Sequence, residues 1–277
     1  MKNLFVLLLS LCTSIYCSAQ LTLPEGFSYP SSKYKAENLD DSNQNFYYQL
    51  SFVRDKKNPQ RKLETLFILQ QGKKFTKFTE FNALKMDSLQ EKYSHQSTVG
   101  SKEISEMFNF RTKISFVLIK DIAKGTYVFQ DRVKNTYQYE EKQPSFNWKL
   151  EKGTKDILGH KCNKASTEYK GRKYTAWYAT DIPINNGPYV FQGLPGFILE
   201  LEDEDKEYHF IAVAIDKNPK PIYIRTESDI LKVSREQFKK VEKSYYDNPG
   251  FFTNGAYNED GSEIKVKSIP YNPIELE

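Results

Sequence analysis

Three histidines, one cysteine beyond the N-terminal segment and a run of carboxylates are the residues of this chain whose types could do chemistry. His95, His160 and His209 are the only histidines. No two of them lie at metal-chelating spacing along a helix or strand, so no metal site is expected. His160 and Cys162 stand at i and i+2 and project from the same face of a strand. An imidazole beside a thiol can deprotonate it and make a nucleophile. Cysteine enzymes, however, generally bring the two groups together from distant parts of the fold. A lone cysteine is more often a small buried apolar residue, and that reading is favoured. Glu200, Glu202, Asp203, Glu204, Asp205 and Glu207 form an acidic cluster that lacks the glycine of a calcium loop and reads as a solvated hairpin tip. Gly-x-Ser-x-Gly, Walker A and Gly-x-Gly-x-x-Gly patterns are absent. No catalytic residue, cofactor or metal is assigned.

The aromatic run 174–178 is the strongest binding signal. On a strand, Tyr174, Ala176 and Tyr178 face one way and Thr175, Trp177 and Ala179 the other, so both faces carry apolar surface. One face packs the core. The other is either covered by the C-terminal helix or tail, which is favoured, or left as an open aromatic groove for an apolar ligand, a sugar or an extended peptide. Tyr174, Trp177, Tyr178 and Tyr189 are the candidate ligand contacts, since ring faces stack on sugars while their polar edges stay wet.

These residues need elements to hold them. Apolar and polar residues alternate at Tyr48, Leu50 and Phe52, at Leu63, Thr65, Phe67 and Leu69, and at Ile114, Phe116 and Leu118. Period two predicts antiparallel sheet. Further strands are expected over 127–133, 136–140 and 146–150. Hairpins are expected from 161–169 with 172–180 across Lys170-Gly171, and from 197–202 with 208–215 across 203–206. Helices are expected over 81–93 and 235–246. The second opens on Ser234 with Gln237 three residues on, a capping box, and places Phe238, Val241 and Tyr245 on one face. Asn248-Pro249 ends it. Between the two hairpins, Gly193, Leu194, Pro195 and Gly196 form a structural corner, with Leu194-Pro195-Gly196-Phe197 suited to a type II turn. The fold class is mainly β: an antiparallel meander, curved or a partly closed barrel, with one or two peripheral α-helices and an α+β arrangement as the alternative.

Composition bounds the rest. Of 277 residues, 39% are hydrophobic and 27% charged, which excludes fibrous and disordered classes. A net charge of +4 with interspersed signs gives no nucleic-acid footprint. At the N-terminus Lys2, an apolar run from Leu4 to Leu11, and Cys17-Ser18-Ala19 read as a signal peptide, residues 1–19, cleaved before Gln20. The run is far short of the roughly 20 apolar residues a spanning helix needs, so no transmembrane segment is expected in the mature chain. Removing the signal takes Cys12 and Cys17 and leaves Cys162 alone, without a disulfide partner. Residues 20–249 then form a single β-rich domain and 250–277 a loop-rich tail.

The segment GLPGF at 193–197, with FQ before it and ILELED after it, resembles the signature of the GLPGLI family of exported bacterial proteins, with Phe197 where the family name has Leu. The run from Gly159 to Pro188 is also similar to that family in Cys162, Gly171-Arg172, Ala176-Trp177-Tyr178 and Ile182-Pro183, as is the ending YNPIELE. The resemblance implies export and a single β-rich domain, and carries no activity to transfer. A second likeness, to the bowl-shaped N-terminal domain of some secreted peptide:N-glycanases, implies an accessory or ligand-contacting role without the hydrolase domain. The expected function is an exported, non-catalytic periplasmic, cell-surface or secreted module that binds an envelope protein, a glycan or a small apolar ligand on an aromatic sheet face. The alternative is a hydrolase-type enzyme of unrecognised class using carboxylates or Cys162. A third class, structural assembly, would join copies through a sheet edge.

Overall fold

Residues 26–252 and 266–277 are described in the computed structural model of the chain. The expected signal peptide lies outside those residues, as does the stretch 253–265 of the expected tail. A short β1 (Ser28–Pro30) precedes the long β2 (Ala36–Val53), whose Tyr48, Leu50 and Phe52 are all buried as their alternation requires. Antiparallel β3 (Lys62–Gly72) and β4 (Phe75–Glu80) follow. An excursion of α1 (Phe81–Ser94), β5 (Thr98–Gly100) and α2 (Ser101–Phe108) comes next, in which β5 pairs with β1. The sheet resumes with β6 (Val117–Asp121), β7 (Thr126–Val133), β8 (Asn135–Lys142), β9 (Lys149–Ile157), β10 (His160–Tyr169) and β11 (Arg172–Ala179). A long loop leads to β12 (Phe197–Asp203) and β13 (Tyr208–Asp216), then β14 (Pro221–Arg225), β15 (Leu231–Lys232), α3 (Arg235–Asp247) and a 3₁₀ turn, Pro249–Phe252.

One 13-stranded sheet carries the molecule, in the order β15, β8, β7, β6, β4, β3, β2, β13, β12, β11, β10, β9, with β14 paired to the first part of β2. The pairings are antiparallel except β15 with β8. Meander connections account for this, because short turns join only antiparallel neighbours. The β10–β11 turn takes positive φ at both Lys170 and Gly171, the geometry that matches strand twist in a two-residue hairpin. No barrel closes: among the described residues β9 and β15 do not pair with each other.

The sheet is nevertheless strongly curved. β8 and β10 stand nine steps apart in the strand order. A flat sheet, at about 4.8 Å a step, would separate them by roughly 43 Å. Instead Tyr169 of β10 donates to Glu275 at 3.2 Å, Arg235 donates to the same carboxylate, and Arg235 lies 3.9 Å from Glu141 of β8. The inner face of this curve is packed with rings, including Phe67 on Phe78 at 4.8 Å and Phe116 on Phe129 at 5.3 Å. Each such ring contributes about 1.5–3 kcal/mol by leaving water. No helix among the described residues is long and apolar enough to cross a membrane.

Several details differ from the sequence reading. Among the described residues there are three α-helices rather than one or two; α2, with Glu103 reaching back to the Gly100 amide at 3.0 Å, is only eight residues and carries too little pattern to read. β6 begins at Val117 rather than Ile114, because the amides of Lys113 and Ile114 donate to the buried Glu80 carboxylate instead of to a strand. β9 begins at Lys149 rather than Phe146, since Phe146 and Trp148 belong to an irregular stretch whose rings pack at 5.0 Å and 6.3 Å on Phe191. The capping-box helix stands as read, as α3: Ser234 Oγ accepts from the Gln237 amide at 3.2 Å, and Phe238 packs on Phe129 and Tyr139 at 5.8 Å.

Candidate functional site

The inner face is filled from within the chain. The loop between β11 and β12 inserts Phe191 against Tyr174 at 4.6 Å and Tyr189 against Phe116 at 5.5 Å. The C-terminal segment, irregular throughout, lies over them. Its carbonyls are read one after another: Asn272 by the Tyr208 hydroxyl, Pro273 by Arg172 at 2.8 Å and Ile274 by the Tyr174 hydroxyl at 3.1 Å. Glu275, fully buried, accepts from Tyr189 at 2.7 Å and from Tyr169 and Arg235.

This decides the fate of three candidate ligand contacts. Tyr174, Tyr178 and Tyr189 are 2%, 4% and 2% exposed and belong to the core. The hydroxyls of Tyr174 and Tyr189 are already spent on the C-terminal segment. They are not an open groove, because the tail covers the face on which Tyr174 lies.

Trp177 is on the other face and stays half-buried. Its cross-strand partners are Lys164 on β10 and Glu200 on β12, at a β-bulge that shifts the register between Trp177 and Tyr178. The indole reaches over β9 at Gly153, whose φ is +128° and whose missing side chain leaves room: a Cβ there would lie 3.6 Å from the ring. Beside the ring stand Lys155, with Nζ 5.8 Å from its centroid, and the cross-strand neighbour Glu200, which His209 of β13 contacts in turn. Glu200 accepts from Lys155 and, at 2.9 Å, from the His209 Nε2 position. Burial pushes the Glu200 carboxyl up, but the bonds from His209 and Lys155 outweigh it and hold the group below its ordinary value. The result is a flat apolar ring edged by donors and acceptors on an otherwise open stretch of sheet.

The thiol and imidazole do not meet. Cys162 is fully buried, its Sγ 3.5 Å from the His160 carbonyl oxygen, and burial pushes it up to about 11. The His160 ring faces Asp181 at 2.7 Å instead. A protonated, inaccessible thiol is no nucleophile. The acidic run is likewise engaged: Arg172 donates to Asp203 at 2.8 Å and Glu207 at 2.6 Å, and Lys56 pairs Glu207 at 3.0 Å. Asp203, Asp205 and Glu207 could geometrically ligate a cation, but two of the three already neutralise a buried arginine.

The corner is tighter than a type II turn. The Gly196 amide donates to the Leu194 carbonyl at 2.8 Å, a three-residue turn about Pro195. Gly196, at φ +155°, passes so near β11 that a Cβ would sit 2.7 Å from the Ala179 carbonyl carbon and 2.9 Å from the Thr180 Cα. Gly193, at φ +97°, takes its amide to Asn185. The corner contributes backbone geometry and no titratable group.

A family model described as a protein of unknown function (Porph_ging) matches residues 166–200, which run from β10 through the corner into β12. The family is uncharacterised, and the model does not bear the GLPGLI name. No curated protein matches. Two solved structures of PNGF-II, in the P21 and C2 space groups, align with 75% of this chain at 14% and 13% identity and a TM-score of 0.49. The chain covers 34% of those molecules, about a third of their length.

Proposed function

We propose that this protein is an exported, non-catalytic module that holds a glycan on the outer face of its sheet, with Trp177 as the stacking ring. The observation that carries the reading is that Trp177 alone, of the four rings singled out by sequence, keeps a solvent-facing surface, and does so beside paired hydrogen-bonding groups on three strands. A pyranose presents an apolar C–H face to an indole and hydroxyls to its edge. The buried Glu200 holds Lys155 and His209 in place, and the partly exposed Lys155 ammonium keeps further donors for sugar hydroxyls at the ring edge. Ion pairing among the three leaves little net charge, which fits a neutral sugar. The near-rigid strands below hold the ring without a cost in ordering loops.

Affinity electrophoresis of the full chain through gels containing mannan, laminarin or hydroxyethylcellulose tests this. Retardation by one of these polymers that is lost in Trp177→Ala, with circular dichroism unchanged, is the expected result. Equal mobility of wild type and variant in every gel contradicts it.

A further inference from the structure

On the inner side the packing of the described residues leaves an opening. A cavity of about 120 Å³ lies between the sheet, α3 and the C-terminal segment. Its floor is aromatic, with Phe52, Phe116 and Phe129, and Tyr271 closes it from the C-terminal side. The volume approaches the roughly 150 Å³ apolar cavity that accepts benzene. Its mouth is charged. Arg54 is exposed, lies 5.7 Å over the Phe52 ring, donates to the Lys113 carbonyl at 3.0 Å, and has no ion pair among the described residues. Lys239 and Glu242 project from α3, and Glu242 is committed to Lys239 at 3.1 Å and to the Tyr271 hydroxyl at 2.8 Å. Asp131 on β7 accepts from Ser115 at 2.6 Å.

We propose that this cavity binds a small aromatic carboxylate, a benzoate-sized anion whose ring enters among the phenylalanines and whose charge meets Arg54 at the mouth. The site is separate from the Trp177 face and does not depend on it. The volume suits a single ring. Charge selects an anion, because Arg54 is the unneutralised group and Glu242 already has two partners. Asp131 would repel an anion if ionised. Burial pushes its carboxyl up to about 6 against the hydrogen bond from Ser115, with Glu242 adding to the rise and Lys239 opposing it. Below that pH the carboxyl is neutral and can donate to the ligand. Lys113, whose backbone borders the mouth, sends its ammonium away to the Glu64 carbonyl.

Isothermal titration of the full chain with benzoate, and separately with neutral benzyl alcohol, is the test. Benzoate should saturate one site at pH 5.5, bind at least about tenfold more tightly than benzyl alcohol, and weaken as pH rises to 7.5. Arg54→Ala should cost about tenfold, and Asp131→Asn, which imitates the neutral acid, should bind with little dependence on pH. Saturation by neither compound, or equal affinity for both, overturns the anion site irrespective of how any variant folds. An unchanged pH slope in Asp131→Asn removes Asp131 from it.

Discussion

Gly196 is the residue at which the backbone leaves least freedom. Its positive φ and the approach of the Ala179–Thr180 backbone each exclude a side chain, so Gly196→Ala should destabilise the protein by about 3 kcal/mol or more, read by urea denaturation. That a corner stands here was legible from Gly-Leu-Pro-Gly. Its three-residue form was not, because the constraint comes from β11, seventeen residues upstream at Ala179. Two buried lysines were not legible at all. Lys77 lies over the Tyr223 ring at 3.4 Å and Lys120 donates to Asn186 at 2.8 Å, neither with an ion pair among the described residues, and burial pulls both down to about 7. Since their folded values lie below the free value of about 10.5, the unfolded chain binds more protons between pH 7 and 10, and stability should rise with pH across that window. The slope should be up to about 1.4 kcal/mol per pH unit for each lysine, and should flatten in Lys77→Met/Lys120→Met; a slope unchanged by the double substitution contradicts it. Cys162 should label with iodoacetamide only when denaturant is added, as its burial requires.

At the scale of elements, period two located most of the strands because one side of each faces the ring-filled core. It missed β4, where Thr76 and Lys77 as well as Phe78 are buried: α1 and β14 cover the outer face there, so alternation has no polar side to show. The C-terminal segment was the hardest element to read. Its prolines and polar residues suggest a loop, yet Asn272 and Glu275 are held by Arg172 and Arg235, partners 100 and 40 residues away. Glu275→Gln should leave Arg235 largely uncompensated and cost about 3 kcal/mol, the modest end of the range for a broken buried pair because Glu141 remains at 3.9 Å. Arg235→Met/Glu275→Leu together should recover much of that loss in a double-mutant cycle; additive losses contradict the pairing.

For the whole molecule, curvature decides which surface is available. The sheet bends until β8 and β10 share the Glu275 neighbourhood, and the chain's own loop and C-terminal segment then occupy the enclosed side beside a small cavity. On the outer face β14 and α1 cover the middle strands and the region around Trp177 is open. The sequence showed aromatic side chains on both faces of β11 but could not rank them, because which face is covered depends on a segment nearly a hundred residues downstream. The most direct test is fluorescence titration of Trp148→Phe, in which Trp177 is the single remaining tryptophan, with the neutral polysaccharide that retards the wild type. A saturable change in intensity or emission maximum is expected as the ring stacks on sugar. Binding that saturates by another readout while Trp177 emission stays constant would contradict the account.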